Sequence, residues 1–249
     1  MEYKIKELIT RGDGKLRCED EIFTFQNDKF TVCALFDGCS SGIDSHYAST
    51  YHKYLIKDAC DDEILWEDPE YISYNIIRFV YDELYNLPYQ RGVEMLSTIV
   101  LLVVNHETEE YFIVFAGDGV ACIDGKIVNV HDADGDSVWY LSNVYNPYNV
   151  NNMGIKEAFD NYYDTLKKLS GKGFNNISIS TDGIDTFKNK YGTLLMPEAR
   201  DFFFNNEKFD NLDNQLKRLY NIFVKGLNTD NKIPCVNIDD FSMIKINKV

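Results

Sequence analysis

This chain is short of positive charge. Against 40 Asp and Glu, its 249 residues set only 25 Lys and Arg, a formal net charge of -15. A nucleic-acid backbone or an anionic membrane surface calls for the opposite balance, so neither is expected as a partner, whereas binding of cations is compatible with it. Long apolar runs are missing too. Nothing approaches the length of a membrane span, and Met1 to Thr10 alternates charge with small apolar pieces, so no signal peptide or anchor is read there. Cysteine is present but unorganised: Cys18, Cys33, Cys39, Cys60, Cys122 and Cys235 are scattered, and none forms a Cys-x-x-Cys pair. That argues against structural zinc. A chain with 45% apolar and 14% aromatic residues can also fill a core without a disulfide framework. Free thiols and a cytoplasmic location are expected. Repeats, low-complexity tracts and linkers are absent as well, which reads as one domain over residues 1–249.

What is there is organised around Phe30-Thr31-Val32-Cys33-Ala34-Leu35-Phe36-Asp37-Gly38. Alternate residues of this run are apolar on both faces, the pattern of a strand buried on both sides. Asp37 stands where such a strand leaves the core, and Gly38 allows a turn and a close backbone approach. Two short strand-like pieces precede it, around the polar turn Arg11-Gly12-Asp13-Gly14-Lys15. A helix through about Ala59 follows, and Pro69 opens another, with Ile72, Ile76, Phe79, Val80 and Leu84 at helical spacing. Ser97–Asn105, Tyr111–Ala116, Val120–Ile123 and Lys126–Val130 read as an antiparallel meander, interrupted at Gly117-Asp118-Gly119 and turned at Asp124-Gly125. Residues 132–152 read as a long loop or flap. Ile155 to Leu169 reads as a helix ended by Gly171, Asn176 to Thr181 as a strand, and part of 197–206 as a helix. Leu212 to Leu227 reads as a long amphipathic helix whose end begins at Lys225-Gly226, and Phe241 to Ile246 as the last strand. An α+β domain with largely antiparallel strands is the economical reading.

Asp37 is not alone. Glu19-Asp20 precedes a strand, Asp118 breaks a β-run, Asp182 ends a strand before Gly183, and Asp239 precedes the last one. Singly, each is an ordinary turn or edge acid. Together they could be aimed into one cleft, where they would repel unless a cation neutralised them. Hard oxygen ligands without Cys or His clusters favour magnesium or manganese over zinc.

In this order the motifs resemble those of the metal-dependent serine/threonine protein phosphatases of type 2C, over about Arg11 to Ile246. Glu19-Asp20, Phe36-Asp37-Gly38, Leu96-Ser97-Thr98, Gly117-Asp118, Ser180-Thr181-Asp182-Gly183 and Ile238-Asp239-Asp240-Phe241-Ser242 are similar to successive family motifs. The resemblance implies a sandwich of two antiparallel β-sheets flanked by helices. It also implies hydrolysis of phosphoserine and phosphothreonine in proteins by a metal-bound water, with two Mn2+ or Mg2+ ions. By position, Asp37 would bridge the metals, with the Gly38 carbonyl and Glu19 completing one set of ligands and Asp182 and Asp239 holding the other. Asp20 would orient a water, and Asp118 would belong to a third, weaker site. The implied partners are a phosphoprotein substrate and a cognate protein kinase, with the chain itself a monomer.

Departures from the family pattern are visible. The phosphate-binding Arg four residues before Glu19 is replaced by Lys15, with Arg17 nearby, and the His two residues after Asp37 is replaced by Cys39. A lysine offers a point charge where arginine offers a two-pronged fork. These changes keep a second reading open, a catalytically weak phosphatase-like binding module. A calcium site at Asp132-Ala133-Asp134-Gly135-Asp136 fails the loop pattern, since its Gly is two positions early and Asn143 stands at the closing Glu position. The third-site partner the family often has four residues after Asp182 is Thr186 here, with Asp185 adjacent. His46 and His52 read as surface or packing residues of a helix.

Overall fold

The structure, a computed structural model, describes residues 2–39, 45–61, 67–87, 96–130, 154–208, 211–227 and 234–249. Its elements run β1 (Tyr3–Thr10), β2 (Asp20–Gln26), β3 (Phe30–Gly38), α1 (Ser45–Asp61), α2 (Pro69–Tyr85), β4 (Ser97–Asn105), β5 (Glu110–Ala116), β6 (Gly119–Ile123) and β7 (Lys126–Val130). Then come α3 (Ile155–Thr165), β8 (Lys167–Lys172), β9 (Asn176–Ser180), a short 3-10 turn (Asp182–Asp185), β10 (Phe187–Asn189), α4 (Met196–Asn205), α5 (Gln215–Val224), β11 (Cys235–Asn237) and β12 (Phe241–Lys248). The flap of 132–152, with its tyrosines and the Asp132–Asp136 stretch, lies outside the described residues.

The strands form two antiparallel five-stranded sheets, β2-β3-β4-β5-β8 and β1-β12-β9-β6-β7, stacked face to face. The double-sided burial of β3 is the reason they stack. Phe30, Val32, Ala34 and Phe36 point outward, under Ile72, Ile76 and Val80 of α2 and Phe159 of α3. Cys33 and Leu35 point inward, against Ile177, Ile179, Ile244 and Ile246 of the opposite sheet. Each such fully buried aliphatic side chain is worth about 1.5–3 kcal/mol of transfer free energy, so the period-2 pattern holds two interfaces at once. On the far face of the second sheet, Val120, Cys122 and Met243 meet Phe203 of α4 and Leu216, Leu219 and Phe223 of α5. The result is four layers, helix, sheet, sheet, helix, as the resemblance implied.

Three readings need correction. The meander is split: β5 belongs to the first sheet and β6 to the second, so Gly117-Asp118-Gly119 is a crossing between sheets. Gly117 sits at φ 113°, and a Cβ there would come 2.7 Å from the Thr98 side chain. The helix read to Leu169 stops at Thr165, and Lys167–Lys172 pairs instead with the free edge of β5. Gly171 is a strand residue, packed so closely under Tyr111 that a Cβ would stand 2.4 Å from the phenol oxygen. The helix read from Leu212 is only Gln215–Val224. It ends as expected, with Gly226 at φ 67° and the amides of Gly226 and Leu227 returning to Phe223 and Ile222. The β10–β11 ladder had no counterpart in the sequence reading.

Candidate active site

Strand register builds one wall of the site. β2 and β3 are neighbours, and their pairing sets Asp20 opposite Asp37 at the strand ends. The second sheet supplies the other wall. β9 ends at Ser180, and Asp182 follows, next to the segment that leads into β12. A Cβ on Gly183 would lie 1.7 Å from the Asp240 carbonyl oxygen, so glycine is required for the two segments to cross. Thr181 ties the walls together: its hydroxyl donates to Asp20 Oδ2 at 2.9 Å and accepts from the Ser242 amide at 3.1 Å.

The four acids feel one another. Although Asp37 keeps some solvent contact, burial and then the charges of Asp20, Asp182 and Asp239 hold its carboxyl well above the usual range. Burial also pushes Asp20 up to about 7, with Asp240 adding to the shift and hydrogen bonds from Ser242 and Thr181 opposing it. Asp20 Oδ1 is buried and has no hydrogen-bond partner among the described residues. Carboxylates crowded in this way await a cation.

The loop from Arg11 to Glu19 covers this cluster and is pinned by Asp240, which is 1% exposed. Its Oδ1 accepts from the Gly12 amide at 2.7 Å and its Oδ2 from the Glu19 amide at 2.6 Å. Asn237 braces the same region: its carbonyl accepts from the Asp13 amide at 2.8 Å, and its side chain donates to the Asp239 carbonyl at 2.9 Å. Tyr220 donates to Asn237 Oδ1 at 2.6 Å.

The two candidate cations part company. Lys15 turns inward: its ammonium donates to Glu19 Oε2 at 2.9 Å, pairs with Asp239 and lies 3.5 Å from Asp240 Oδ2. Burial works against its charge, but the hydrogen bonds to Asp239 and Glu19 prevail and raise its pKa. Arg17 is exposed and its guanidinium lies 2.9 Å from the His46 ring nitrogen. Gly38 continues the ladder beside Ser97, with its amide on the Glu19 carbonyl at 3.2 Å. Cys39 follows, half-buried, its amide on the Leu96 carbonyl at 3.0 Å. Asp118 stands at the crossing between sheets, just past Gly117, which packs on Thr98, the ladder partner of Asp37.

The structure thus brings Lys15, Glu19, Asp20, Asp37, Asp182 and Asp239 together and turns Arg17 outward. Asp185 is taken up by Arg200 through both carboxylate oxygens. Thr186 accepts from the Asp239 amide at 3.1 Å and donates to the Gly183 carbonyl at 2.9 Å, so it shapes the acid segment. Sequence reasoning missed the bracing roles of Thr181, Thr186, Asn237 and Tyr220. Thr181, inside the Ser-Thr-Asp-Gly motif, and Thr186, four residues after Asp182, carried a signal; Asn237 and Tyr220 carried none.

The donors suit a hard divalent cation: carboxylates, a backbone carbonyl and no thiolate or imidazole. The buried Asp20 oxygen without a partner and the raised carboxyl of Asp37 agree with that. One feature differs. Among the described residues, no three His, Cys, Asp or Glu side chains close on a common point as an ion's shell would. Lys15 stands among three of the acids instead.

A family model described as Protein phosphatase 2C matches residues 11–220. No curated protein matches the chain significantly in sequence. Among solved structures, RsbX in complex with magnesium is 18% identical, with 98% of this chain and 94% of that one covered and a TM-score of 0.57. Serine/threonine phosphatase Stp1 from Staphylococcus aureus is 16% identical, with 100% and 96% covered and a TM-score of 0.64. The SpoIIE phosphatase domain from Bacillus subtilis, with a fragment of its regulatory domain, is 10% identical, with 100% and 64% covered and a TM-score of 0.63. At such identities the likeness is one of fold.

Proposed function

The chain belongs to the protein phosphatase 2C family, and we propose that it hydrolyses phosphoserine and phosphothreonine on proteins, with two Mg2+ or Mn2+ ions as cofactors. The observation that carries the reading is that Asp20 stands opposite Asp37 in the β2–β3 ladder, with the charges of Asp20, Asp182 and Asp239 all acting on Asp37. Asp37, Glu19, the Gly38 carbonyl, Asp182 and Asp239 would hold the ions. Asp118 is assigned to a third, weaker site. Bound there, the ions would supply Lewis-acid stabilisation and an activated water.

The protein's own residues have separate tasks. Asp20, fixed on one oxygen by Thr181, has its other oxygen buried without a partner among the described residues and would offer it to hold and orient a water. Lys15 or Arg17 would meet the substrate phosphate and offset the charge that grows on its oxygens. Asp240 holds the loop that carries both. We take residues 1–249 as one catalytic domain, monomeric and cytoplasmic, acting on a phosphoprotein whose cognate kinase is its functional counterpart. Among the described residues no helix is long and apolar enough to cross a membrane.

The test is initial rates on a phosphothreonine peptide and an aryl phosphate with manganese, magnesium or chelator. Hydrolysis that chelator abolishes is expected. Metal-independent rates, or none with either metal, would sink the assignment. The engagement of Lys15 with Asp239 and Glu19 favours one alternative, a phosphatase-like binding module. Phosphopeptide binding without turnover in manganese would select it.

A further inference from the structure

We propose that Lys15 is a tethered countercharge of the metal site: its ammonium occupies Asp239 and Glu19 when the site is empty, competes with an incoming cation and sets the affinity for it. The inference rests on the metal-dependent reading above and deepens it.

The acids that Lys15 engages are those assigned to the ions. Its Nζ reaches Glu19 at 2.9 Å and Asp239 directly, from a loop whose amides at Gly12 and Glu19 are both fastened to Asp240. The Lys15 amide closes back on the Gly12 carbonyl at 3.3 Å, and Gly14, at φ 83°, makes the turn. The backbone therefore keeps the ammonium within reach of the acids, while four flexible carbons let the head move. Its side chain is 20% exposed, so a way out to solvent exists. A unit charge at hydrogen-bond distance from Asp239 lowers the potential available to a second cation at the same carboxylate, and the two must exclude each other. Arginine would hold such a carboxylate through a planar fork; lysine holds it as a hydrated point charge that exchanges readily. Displaced, the ammonium stays on its tether at the mouth of the site, where a substrate phosphate would arrive. Metal loading and phosphate binding are then coupled through one side chain.

The test uses the full chain stripped with chelator and titrated calorimetrically with Mn2+ alone, as wild type, Lys15→Met, Lys15→Gln and Arg17→Met, with circular dichroism confirming folding. Both Lys15 variants are expected to bind Mn2+ about tenfold more tightly than wild type. They should also melt lower in chelator and gain more from saturating manganese. Arg17→Met, which removes a cation two residues away on the outer surface, should stay within twofold of wild type. Equal or weaker Mn2+ binding in the Lys15 variants overturns the inference, as does equal tightening in Arg17→Met, which would report net charge alone. If wild type binds Mn2+ and hydrolyses phosphopeptide while the Lys15 variants bind no better, only this inference falls. If neither wild type nor the variants bind Mn2+, the proposed function falls with it.

Discussion

On one side of the site the carboxylates stand at strand ends; on the other the basic residues ride a loop. Asp20 and Asp37 are set opposite each other by the β2–β3 ladder, and Asp182 and Asp239 by the crossing of two segments at Gly183. Moving any of them means shifting a register or breaking a close packing. Lys15 and Arg17 depend on a loop held by hydrogen bonds to Asp240 and Asn237, and they point in opposite directions although one residue separates them. The acids are fixed and mutually repulsive, and the cations are adjustable. Under the proposed function, binding strength belongs to the strand-borne half and its control to the loop-borne half.

The largest expected effect breaks the strand-borne half. Asp37→Asn should lower the metal-dependent rate by about a thousandfold, as losing several kcal/mol of transition-state stabilisation implies. The fold should not suffer. In chelator its melting temperature should rise by about 2–4 °C, because a carboxylate held among three others has been neutralised. A variant that keeps its rate, or melts lower in chelator, would show that the acids do not act as one repulsive cluster.

Next is the anchor between the halves. Asp240→Ala leaves the Gly12 and Glu19 amides without their acceptor, at a cost of about 2–3 kcal/mol in urea unfolding. It should also raise KM for phosphopeptide more than Asp37→Asn does, because the loop is freed. Asp240→Asn retains one acceptor oxygen and should lose less on both counts. If Asp240→Ala unfolds at the wild-type midpoint, the loop is not held in the way described.

How much of this was legible in the sequence follows the same division. The β3 strand could be read because both of its faces are apolar, and the acids because each punctuates such a strand. The assignment of β5 and β6 to different sheets could not, since partners such as Val120 and Ser180 are far apart in the chain. Lys167-Lys168-Leu169 continues a helical pattern locally; only the open edge of β5 makes it a strand. The anchoring role of Asp240 was not legible, because nothing local reveals two amides arriving from residues 12 and 19. The inward turn of Lys15 depends on that same anchor and was hidden with it.

A pH titration separates the scaffold from the site. His52 is fully buried in α1, and neither ring nitrogen has a hydrogen-bond partner among the described residues. Burial pushes its pKa down to about 4 from an ordinary 6.5. The unfolded chain therefore takes up this proton first. The stability His52 allows is complete above pH 6.5 and is lost as pH falls toward 4, by about 2 kcal/mol at pH 5. Asp20 has the opposite sign: raised to about 7, it favours the metal-free fold at low pH and withdraws that support as pH rises through 7. His52→Leu should flatten the acid limb of the metal-free stability profile, and Asp20→Asn the neutral one. An acid limb that His52→Leu leaves unchanged would mean that groups other than His52 govern acid unfolding, since the raised Asp20 favours the fold at low pH.

The smallest effect sharpens the comparison at Cys39, the residue just past the end of the β3 strand. The family resemblance expects a histidine here to protonate the leaving alkoxide, and a thiol is a weaker hydrogen-bond donor. An aryl phosphate departs as a stable phenolate and needs little protonation, whereas a serine alkoxide needs much. General-acid help is worth about 10²–10⁴-fold when fully in place, but a newly introduced imidazole would recover only part of it, about threefold to tenfold, and only on the alkyl substrate. Cys39→His should therefore narrow the ratio of aryl phosphate to phosphoserine peptide rates, and Cys39→Ser should leave it near wild type. The variant must be compared at saturating manganese, because an imidazole beside Gly38 could also act as a metal ligand. If Mn2+ affinity and folding are unchanged and the ratio still does not move, the proton comes from elsewhere, and His46, held beside Arg17 at 2.9 Å on the loop side of the site, becomes the residue to mutate next.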